Sequence, residues 1–538
     1  MPKIKIREDD RTLTGVAVEE LANIVYIPGF STAAINPAAG FDEYVPTTGD
    51  VNGVPAGIPK LCSTLEQFQA YFGSEPATFA TDQAWPNEFD GAAKTDAPMF
   101  LAGDYDPSYI YAYDLIANGI PIVYERLNAY GSENTLEPYN ATTNPNGYKS
   151  GATLPTSGSV QEVSVGQYYV VPEVTTEAKA TDSFTLYACT AVTKVVNGSV
   201  TTYTYSFDKM TDDAHVTKAG ETTLNLLDIV VTTAYAKMSS RFDSSDLANP
   251  LMDMNKFDIK YLTSGGYPTF EYNSNAIAKK MINVAEYRGD CIALIDHTDN
   301  SFRNLVGSGS VIESINGTTY TLASTYAAMC TPWVNMTTTF KPMSCAPSFA
   351  LLRAISEAVK TSSNWLAAAG VTRGVVPNAN SFHIDQPLVY TTAIANSYTD
   401  QSQHSILVNP FANVRPYGIT VWGNRTLAQT SSTTEKASYF FNQRSMVTEI
   451  KKVCYAAAES LMFEQNSDIL WINFKAKVVP LLDQLKSSYG ISGYKIVKET
   501  ASSKRQLKAT ITIAPIYAVE EFDINIILTN EDVDVTES

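Results

Sequence analysis

The sequence predicts an α+β multidomain protein, and three observations carry that reading. Short apolar runs closed by Pro or Gly alternate with helical spacings in the first part and the middle of the chain, the pattern of α/β layers. A stretch rich in Thr, Asn, Ser, Gly and Pro interrupts them and carries hairpin signals. Near the C-terminus, apolar residues at three- and four-residue steps give way to strict alternation. At 538 residues the chain is too long for one core, and about two to four domains are expected. The parse is an N-terminal arm at 1–15, an α/β domain in two parts at 16–130 and 241–385, and a β-rich surface lobe inserted at 131–240. A two-layer α+β core follows at 386–528, then a C-terminal arm at 529–538.

In chain order, Lys3 to Arg7 alternates basic and apolar residues, with Ile4 and Ile6 on one side of a short strand. No adjacent hairpin turn supplies a partner, so that strand must pair at a distance. Ile24 to Ile27 reads as a buried strand before Pro28-Gly29, and Thr64 caps a helix with Leu65, Phe68 and Phe72 inward. A helix over Tyr109–Asn118 stops at Gly119 and feeds the strand IPIVYERL. In the lobe, Asn197-Gly198 lies between alternating runs from Val192 to Tyr205, the signature of a type I′ hairpin. Beyond it come a strand at Ile259–Leu262, a helix at Asn275–Tyr287 and a buried strand at Cys291–Ile295. A helix from Ser348 carries Leu351, Leu352, Ile355 and Val359, and strands follow around Ile406–Val408 and Ile419–Trp422.

The C-terminal core is the clearest. Phe441, Val447, Ile450, Cys454, Ala457, Ala458 and Leu461 make one helix face; Leu470, Phe474, Val478, Leu481, Leu482 and Leu485 make a second. Asn466 or Ser467 offers the N-cap between them, Pro480 should kink the second helix, and Gly490 and Gly493 should end it. Three alternating strands follow, with Tyr494 and Ile496, then Leu507, Ala509, Ile511 and Ile513, then Phe522, Ile524, Ile526 and Leu528 on one side. Such a sheet has open edges.

Composition narrows function. No run approaches the roughly 18 apolar residues of a membrane helix, so no membrane insertion is expected. MPKIKIREDDR has no apolar leader region, and the five Asn-X-Ser/Thr sequons read as chance. Six scattered cysteines without a CxxC read as reduced, buried thiols of a cytosolic product. A net charge of −18 disfavours direct nucleic-acid binding. That charge is uneven. Arg444 to Lys508 holds eleven Lys/Arg against six Asp/Glu, whereas the residues after Lys508 hold seven acids and no base. Lys3, Lys5 and Arg7 make a basic head.

Catalytic patterns are weak. Asp296-His297 with Asp299 ends a buried strand, where α/β sheets host active sites, but no nucleophile elbow accompanies it and a loop-capping role fits better. Asp104-Tyr105-Asp106 lacks further oxygen ligands for a metal and reads as a turn. Gly307-Ser308-Gly309 is too short to cradle phosphate, and Trp365, Trp422 and Trp471 read as core. No catalytic, metal or cofactor-binding residue is assigned, and no cofactor is expected.

Several pieces, taken in order, resemble the tail sheath proteins of contractile phage tails and related injection systems. They are FDIKYLTSGGYP at Phe257–Pro268, CIALID at Cys291–Asp296, YAAMCTPWV at Tyr326–Val334, and Pro347–Gly374 ending in AAAGVTRG. VNP at Val408–Pro410, GITVWGNRTL at Gly418–Leu427, FEQNSDILW at Phe463–Trp471 and IAPIYAVEEFDINI complete the set, with Pro59–Gly73 similar nearer the start. Gln465, where the family often has Pro, and the region 131–240 depart from it. The resemblance implies a structural subunit with no enzymatic activity, polymerising as a helical sleeve around an inner tail tube and contracting to drive the tube through a host envelope. Its partners would be itself, the tube protein, and the baseplate and tail terminator proteins, in a virion tail assembled in the bacterial cytoplasm.

The resemblance also implies arms that add strands to a neighbour's C-terminal sheet, and the residues agree. The arms would be Lys3, Ile4, Lys5, Ile6 and Arg7, with Glu531, Asp532, Val533 and Asp534. The acceptor sheet would present Ile511, Ile513, Phe522, Ile524, Ile526 and Leu528, and Lys451, Lys452, Lys475, Lys477 and Lys486 would face an acidic tube. Two rivals remain: another polymeric virion or surface-layer protein, and an α/β hydrolase using Asp296 and His297.

Overall fold

Apolar runs without polar alternation can form strands only where both faces are covered, and the sequence has several. The computed structural model describes residues 23–30, 58–73, 76, 104–127, 135–136, 149–150, 153–163, 168–172, 184–197, 200–209, 217–219, 223–225, 238–245, 249–254, 256–269, 277–297, 312–315, 318–383, 407–428, 436–501 and 503–520. They divide into two units, an α/β unit of described residues 23–364 and 368–452 and a C-terminal unit of 365–367 and 453–520. The expected arms at Lys3–Arg7 and Glu531–Asp534, and the expected strand at Phe522–Leu528, lie outside the described residues.

The elements of the first part are β1 (Val25–Gly29), β2 (Lys60–Cys62), α1 (Leu65–Phe72), α2 (Pro107–Ala117) and β3 (Ile122–Arg126). Eight lobe strands follow: β4 (Thr135–Leu136), β5 (Lys149–Ser150), β6 (Ser157–Gly158), β7 (Tyr168–Pro172), β8 (Phe184–Asn197), β9 (Val200–Lys209), β10 (Thr217–Ala219) and β11 (Thr223–Asn225). Then come β12 (Tyr261–Leu262), α3 (Ile277–Arg288), β13 (Ile292–Ile295), β14 (Ile312–Ile315), β15 (Thr318–Thr321), β16 (Ala327–Thr331), β17 (Val334–Thr337) and β18 (Pro342–Cys345). Helix α4 (Pro347–Thr361), α5 (Gly370–Arg373), β19 (Ala379–Phe382), β20 (Asn409–Val414) and β21 (Gly418–Val421) lead to α6 (Phe441–Glu459). The chain described ends with α7 (Asp468–Ser487), β22 (Ile491–Glu499) and β23 (Lys508–Pro515).

The α/β unit is built on one eight-stranded sheet, in the order β2-β3-β1-β12-β13-β16-β20-β21. Neighbours from β3 to β20 are parallel, while β2 and β21 close the two ends antiparallel. Alternate residues face opposite cores. Tyr26, Val123, Leu262, Ala293, Ile295 and Met329 join α3 on one face, whereas Val25, Ile27, Tyr124, Leu294 and Cys330 join α1, α2 and α4 on the other. Each Val, Leu, Ile or Met side chain among them, wholly removed from water, stabilises the fold by about 1.5–3 kcal/mol. The predicted cap at Thr64 forms, accepting from Gln67 N at 3.2 Å, and Gly119 ends α2 with φ near +86°.

Two expectations change here. The strand predicted around Ile406–Val408 begins instead at Asn409; Leu407 and Val408 are its buried lead-in, and Ile406 lies outside the described residues. Residues 407–452, expected in a C-terminal core starting at 386, belong to the α/β unit, because β20 and β21 extend its sheet. Helix α6 accordingly has its first half in that unit, surrounded on all sides: Phe441, Met446 and Ile450 are buried, and so are Asn442, Gln443, Arg444, Thr448 and Glu449. An apolar stripe alone does not describe a helix whose polar side chains also find buried partners.

The lobe strands form sheets apart from the main one, with β5-β7-β8-β9-β6 in one and β10-β11-β4 in another. The hairpin read from Asn197-Gly198 is present, pairing Asn197 with Val200 and running back to Tyr187–Lys209.

In the C-terminal unit, the six apolar residues of α7 named from the sequence are all buried. Ser467 is the N-cap, accepting from Leu470 N at 3.3 Å, while Asn466 donates instead to Lys504 O at 2.9 Å and ties the helix start to the β22–β23 connection. Pro480 lies inside the helix without ending it. The helix ends before Gly490, through Tyr489 in the left-handed region and a Gly490 N–H donated to Leu485 O at 2.8 Å. Gly493, expected at the helix end, sits within β22 at a shift in register, where a missing side chain tolerates the irregularity.

Candidate assembly surface

Strands β22 and β23 pair antiparallel, with Tyr494 opposite Ile513, Ile496 opposite Ile511 and Glu499 opposite Lys508. Among the described residues each has no other partner strand, and an edge of that kind offers its N–H and C=O groups to a further strand. Ile496, Ile511 and Ile513 are only half-buried, although α7 covers part of the hairpin. Large apolar side chains of the same unit stay exposed: Phe463 at 87%, Ile469 at 69% and Tyr489 at 77%, together with Ile472, Tyr517 and Val519. Exposed apolar side chains mark an interaction face where they join in one patch.

The basic residues singled out from the sequence do not act alike. Lys451 lies over the Tyr326 ring at 5.0 Å, and Lys452 pairs with Asp258 while donating to Ile259 O at 2.8 Å. Both are half-buried and engaged within the α/β unit. On α7, Lys475 lies over Trp471 at 5.6 Å, Lys477 donates to Ser460 Oγ at 2.7 Å and Lys486 is exposed in the last turn. Lys498 pairs with Asp468 at 2.9 Å, and its hydrogen bond holds that carboxyl below the usual range; Lys508 does the same for Glu499 across the hairpin.

The catalytic candidate is built into the packing. Asp296 follows β13, and both its carboxylate oxygens are engaged by α4: Oδ1 accepts from Ser348 N at 2.8 Å and Oδ2 from Ser348 Oγ at 2.6 Å. The N-cap residue of α4, Ala346, has no side chain to do this, so a strand end caps the helix from 52 residues away. The positive end of the helix favours the carboxylate, but burial outweighs it and pushes the Asp296 carboxyl up to about 6. His297 is fully buried, and its carbonyl accepts from Trp333 Nε1 at 2.8 Å. The sequence led to a loop-capping role; Asp296 caps helix α4 instead.

Asp106, expected in a turn, does more than that. It caps α2, accepting from Ser108 N at 3.2 Å, and also accepts from Phe30 N at 2.9 Å and Tyr267 OH at 2.7 Å. Burial raises its carboxyl against the pull of those hydrogen bonds. Beside it the chain passes too closely for side chains: a Cβ at Gly265 would stand 2.2 Å from Pro28 O, and one at Gly266 2.3 Å from the Tyr111 ring. Tyr111, Tyr124, Tyr267 and Asp296 are all buried. The only advance signal for Asp106 was its position one residue before Pro107, a common capping site. None of the six cysteines is in a disulfide, and burial pushes the thiols of Cys62, Cys291 and Cys454 up to about 12.

No family model matches the sequence, and comparison with curated proteins gave no match. Among solved structures, a chain in the baseplate of the anti-feeding prophage is similar at 10% identity, covering 98% of this chain and 99% of that one, with a TM-score of 0.49. The contracted helical sheath of the same prophage gives 12% identity over 99% of both chains and a TM-score of 0.47. The sheath tail protein of Desulfitobacterium hafniense gives 9% identity, 96% of this chain, 100% of that one and a TM-score of 0.39. This chain is similar to contractile-system sheath proteins. With identities this low and TM-scores below one half, that likeness decides nothing about its activity.

Proposed function

We propose that this chain is the repeating structural subunit of a contractile sheath, a helical sleeve around an inner tube that shortens to drive the tube through a host envelope. The observation that carries the reading is the C-terminal unit, among the described residues a two-stranded sheet with half-exposed isoleucines, in the region where basic charge concentrates. The ordered motifs from Phe257 to Ile526 support the same conclusion. Strands from neighbouring copies, Lys3–Arg7 and the segment around Glu531–Asp534, would complete the sheet. An added strand making about five backbone hydrogen bonds contributes roughly 3–7 kcal/mol before ordering costs.

In this scheme Lys3, Lys5 and Arg7 of one copy lie near Glu531, Asp532 or Asp534 of another, since opposite charges across strands reinforce pairing. Lys475, Lys477 and Lys486 on α7 would meet an acidic tube surface, while Lys451 and Lys452 keep their partners in the α/β unit. The baseplate supplies the trigger, the terminator closes the far end, and no cofactor takes part. The particle is a virion tail or related injection device built in the bacterial cytoplasm. Electron microscopy of the purified protein tests this: tubes wide enough to hold a second tube support it, and flat lattices or shells favour a surface-layer or capsid role. Charge reversal at Lys3, Lys5 and Arg7 should abolish the tubes; unchanged tubes would remove the arms from the account.

A further inference from the structure

The chain passes between its two units at points tied to one buried polar node. It leaves the α/β unit after Asn364, gives Trp365–Ala367 to the C-terminal unit, returns at Ala368 and leaves again after Lys452. Asn364 donates from Nδ2 to Glu449 Oε1 at 2.9 Å. Glu449 lies on α6, one turn before the second departure, and pairs with Lys260; the two side chains are 6% and 1% exposed. Further ties fix the same stretch of helix: Arg444 Nε donates to Thr325 O at 3.0 Å, and Ser445 Oγ lies 3.3 Å from Tyr261 OH. Just past the first departure, Trp365 Nε1 donates to Ser488 O at 3.4 Å, and a Cβ on Gly490 would stand 2.6 Å from the Trp365 ring. Adjacent residues 364 and 365 are thus each fastened within a different unit.

Apolar contacts tolerate sliding, because dispersion has no direction. A buried ion pair with a shared amide fixes one geometry, since parting the two ions costs their mutual compensation and withdrawing the amide costs the carboxylate a hydrogen bond. We propose that the Lys260–Glu449–Asn364 node couples the two crossings, so that the 365–367 strap and α6 are held, or released, together. Its use in contraction rests on the sheath reading: force passing between units would enter the α/β unit at both crossings at once and move it as a rigid body.

Hydrogen exchange on the full-length chain tests the coupling. Asn364→Ala removes the hydrogen bond to Glu449 and no charge, and losing a bond to a charged group corresponds to about tenfold or more in a local equilibrium. Amides of residues 446–453 should exchange about tenfold faster along with those of 361–368. Acceleration confined to 361–368 overturns the proposal. In a Lys260→Met/Glu449→Leu background, which fills the volume without charge, adding Asn364→Ala should leave 446–453 unchanged; a full-sized effect there also overturns it. Should the double variant not fold, the single variant decides alone. Neither readout needs assembly, so coupled exchange in a chain that never forms tubes would sink the sheath reading and leave the node standing.

Discussion

The α/β unit and the C-terminal unit contain the same kinds of residue and treat them differently. In the first, strands such as Ile292–Ile295 are buried throughout, and even Arg126, Asp106 and Glu449 lie inside. In the second, α7 buries its apolar face, yet β22 keeps only Ile491 fully covered and the isoleucines of β23 stay half in water. The α/β unit behaves as a finished body. The C-terminal unit has a built helix layer and, among the described residues, a sheet of two strands that further strands can extend.

Breaking ion pairs should expose this contrast most strongly. Glu449→Gln removes the carboxylate from the buried Lys260–Glu449 ion pair and should destabilise the α/β unit by about 3–5 kcal/mol, read as a lower urea midpoint. Lys498→Met, which removes the water-exposed pair with Asp468, should leave that midpoint unchanged. Core truncation comes next. Phe68→Ala empties a site among Phe72, Tyr109 and Tyr124 and should cost about 3–5 kcal/mol. Ile513→Ala, half-buried in the lone chain, should cost only about 1 kcal/mol there and reduce assembly far more.

The pH response sharpens the comparison with a smaller effect. The Asp296 carboxyl is raised from 3.8 to about 6 in the folded chain, so the folded state binds the proton more tightly than the unfolded one. Its contribution is fully present below about pH 3.8 and is lost as pH rises through about 6, a swing of about 3 kcal/mol. Asp296→Asn keeps an acceptor for Ser348 N and should flatten that decline, measured by urea titrations at acid and neutral pH. Asp468 and Glu499, held low by exposed lysines, run the opposite way in the C-terminal unit: acid loosens their ties. Last, the raised thiols should react with Ellman's reagent only on unfolding.

How much of this could be read in advance followed from what each element needs. Helix α7, the Thr64 cap, the Asn197-Gly198 hairpin and the buried strands declared themselves through spacing and local chemistry. The boundary near 386 did not hold because β20 joins a sheet whose other members lie far back in the chain, and alternation says nothing about which sheet a strand enters. Asn409, accepting from Arg425 N at 2.6 Å, and Asn424, donating to Asn442 at 2.8 Å, look like ordinary turn residues in the sequence. Their partners are long-range, as are those of Glu449 and Asp296. The candidate surface was legible as an alternating sheet with basic neighbours, but not that Lys451 and Lys452 would be drawn inward.

The most direct measurement is hydrogen exchange along β23, Lys508–Pro515, in the dilute chain and after polymerisation. Amides not bonded to β22 should exchange quickly in the free chain and become protected by about a hundredfold or more once tubes form, as a neighbour's strand takes them. Tubes that form while those amides remain as fast as before would contradict the claim that one copy finishes the sheet of another.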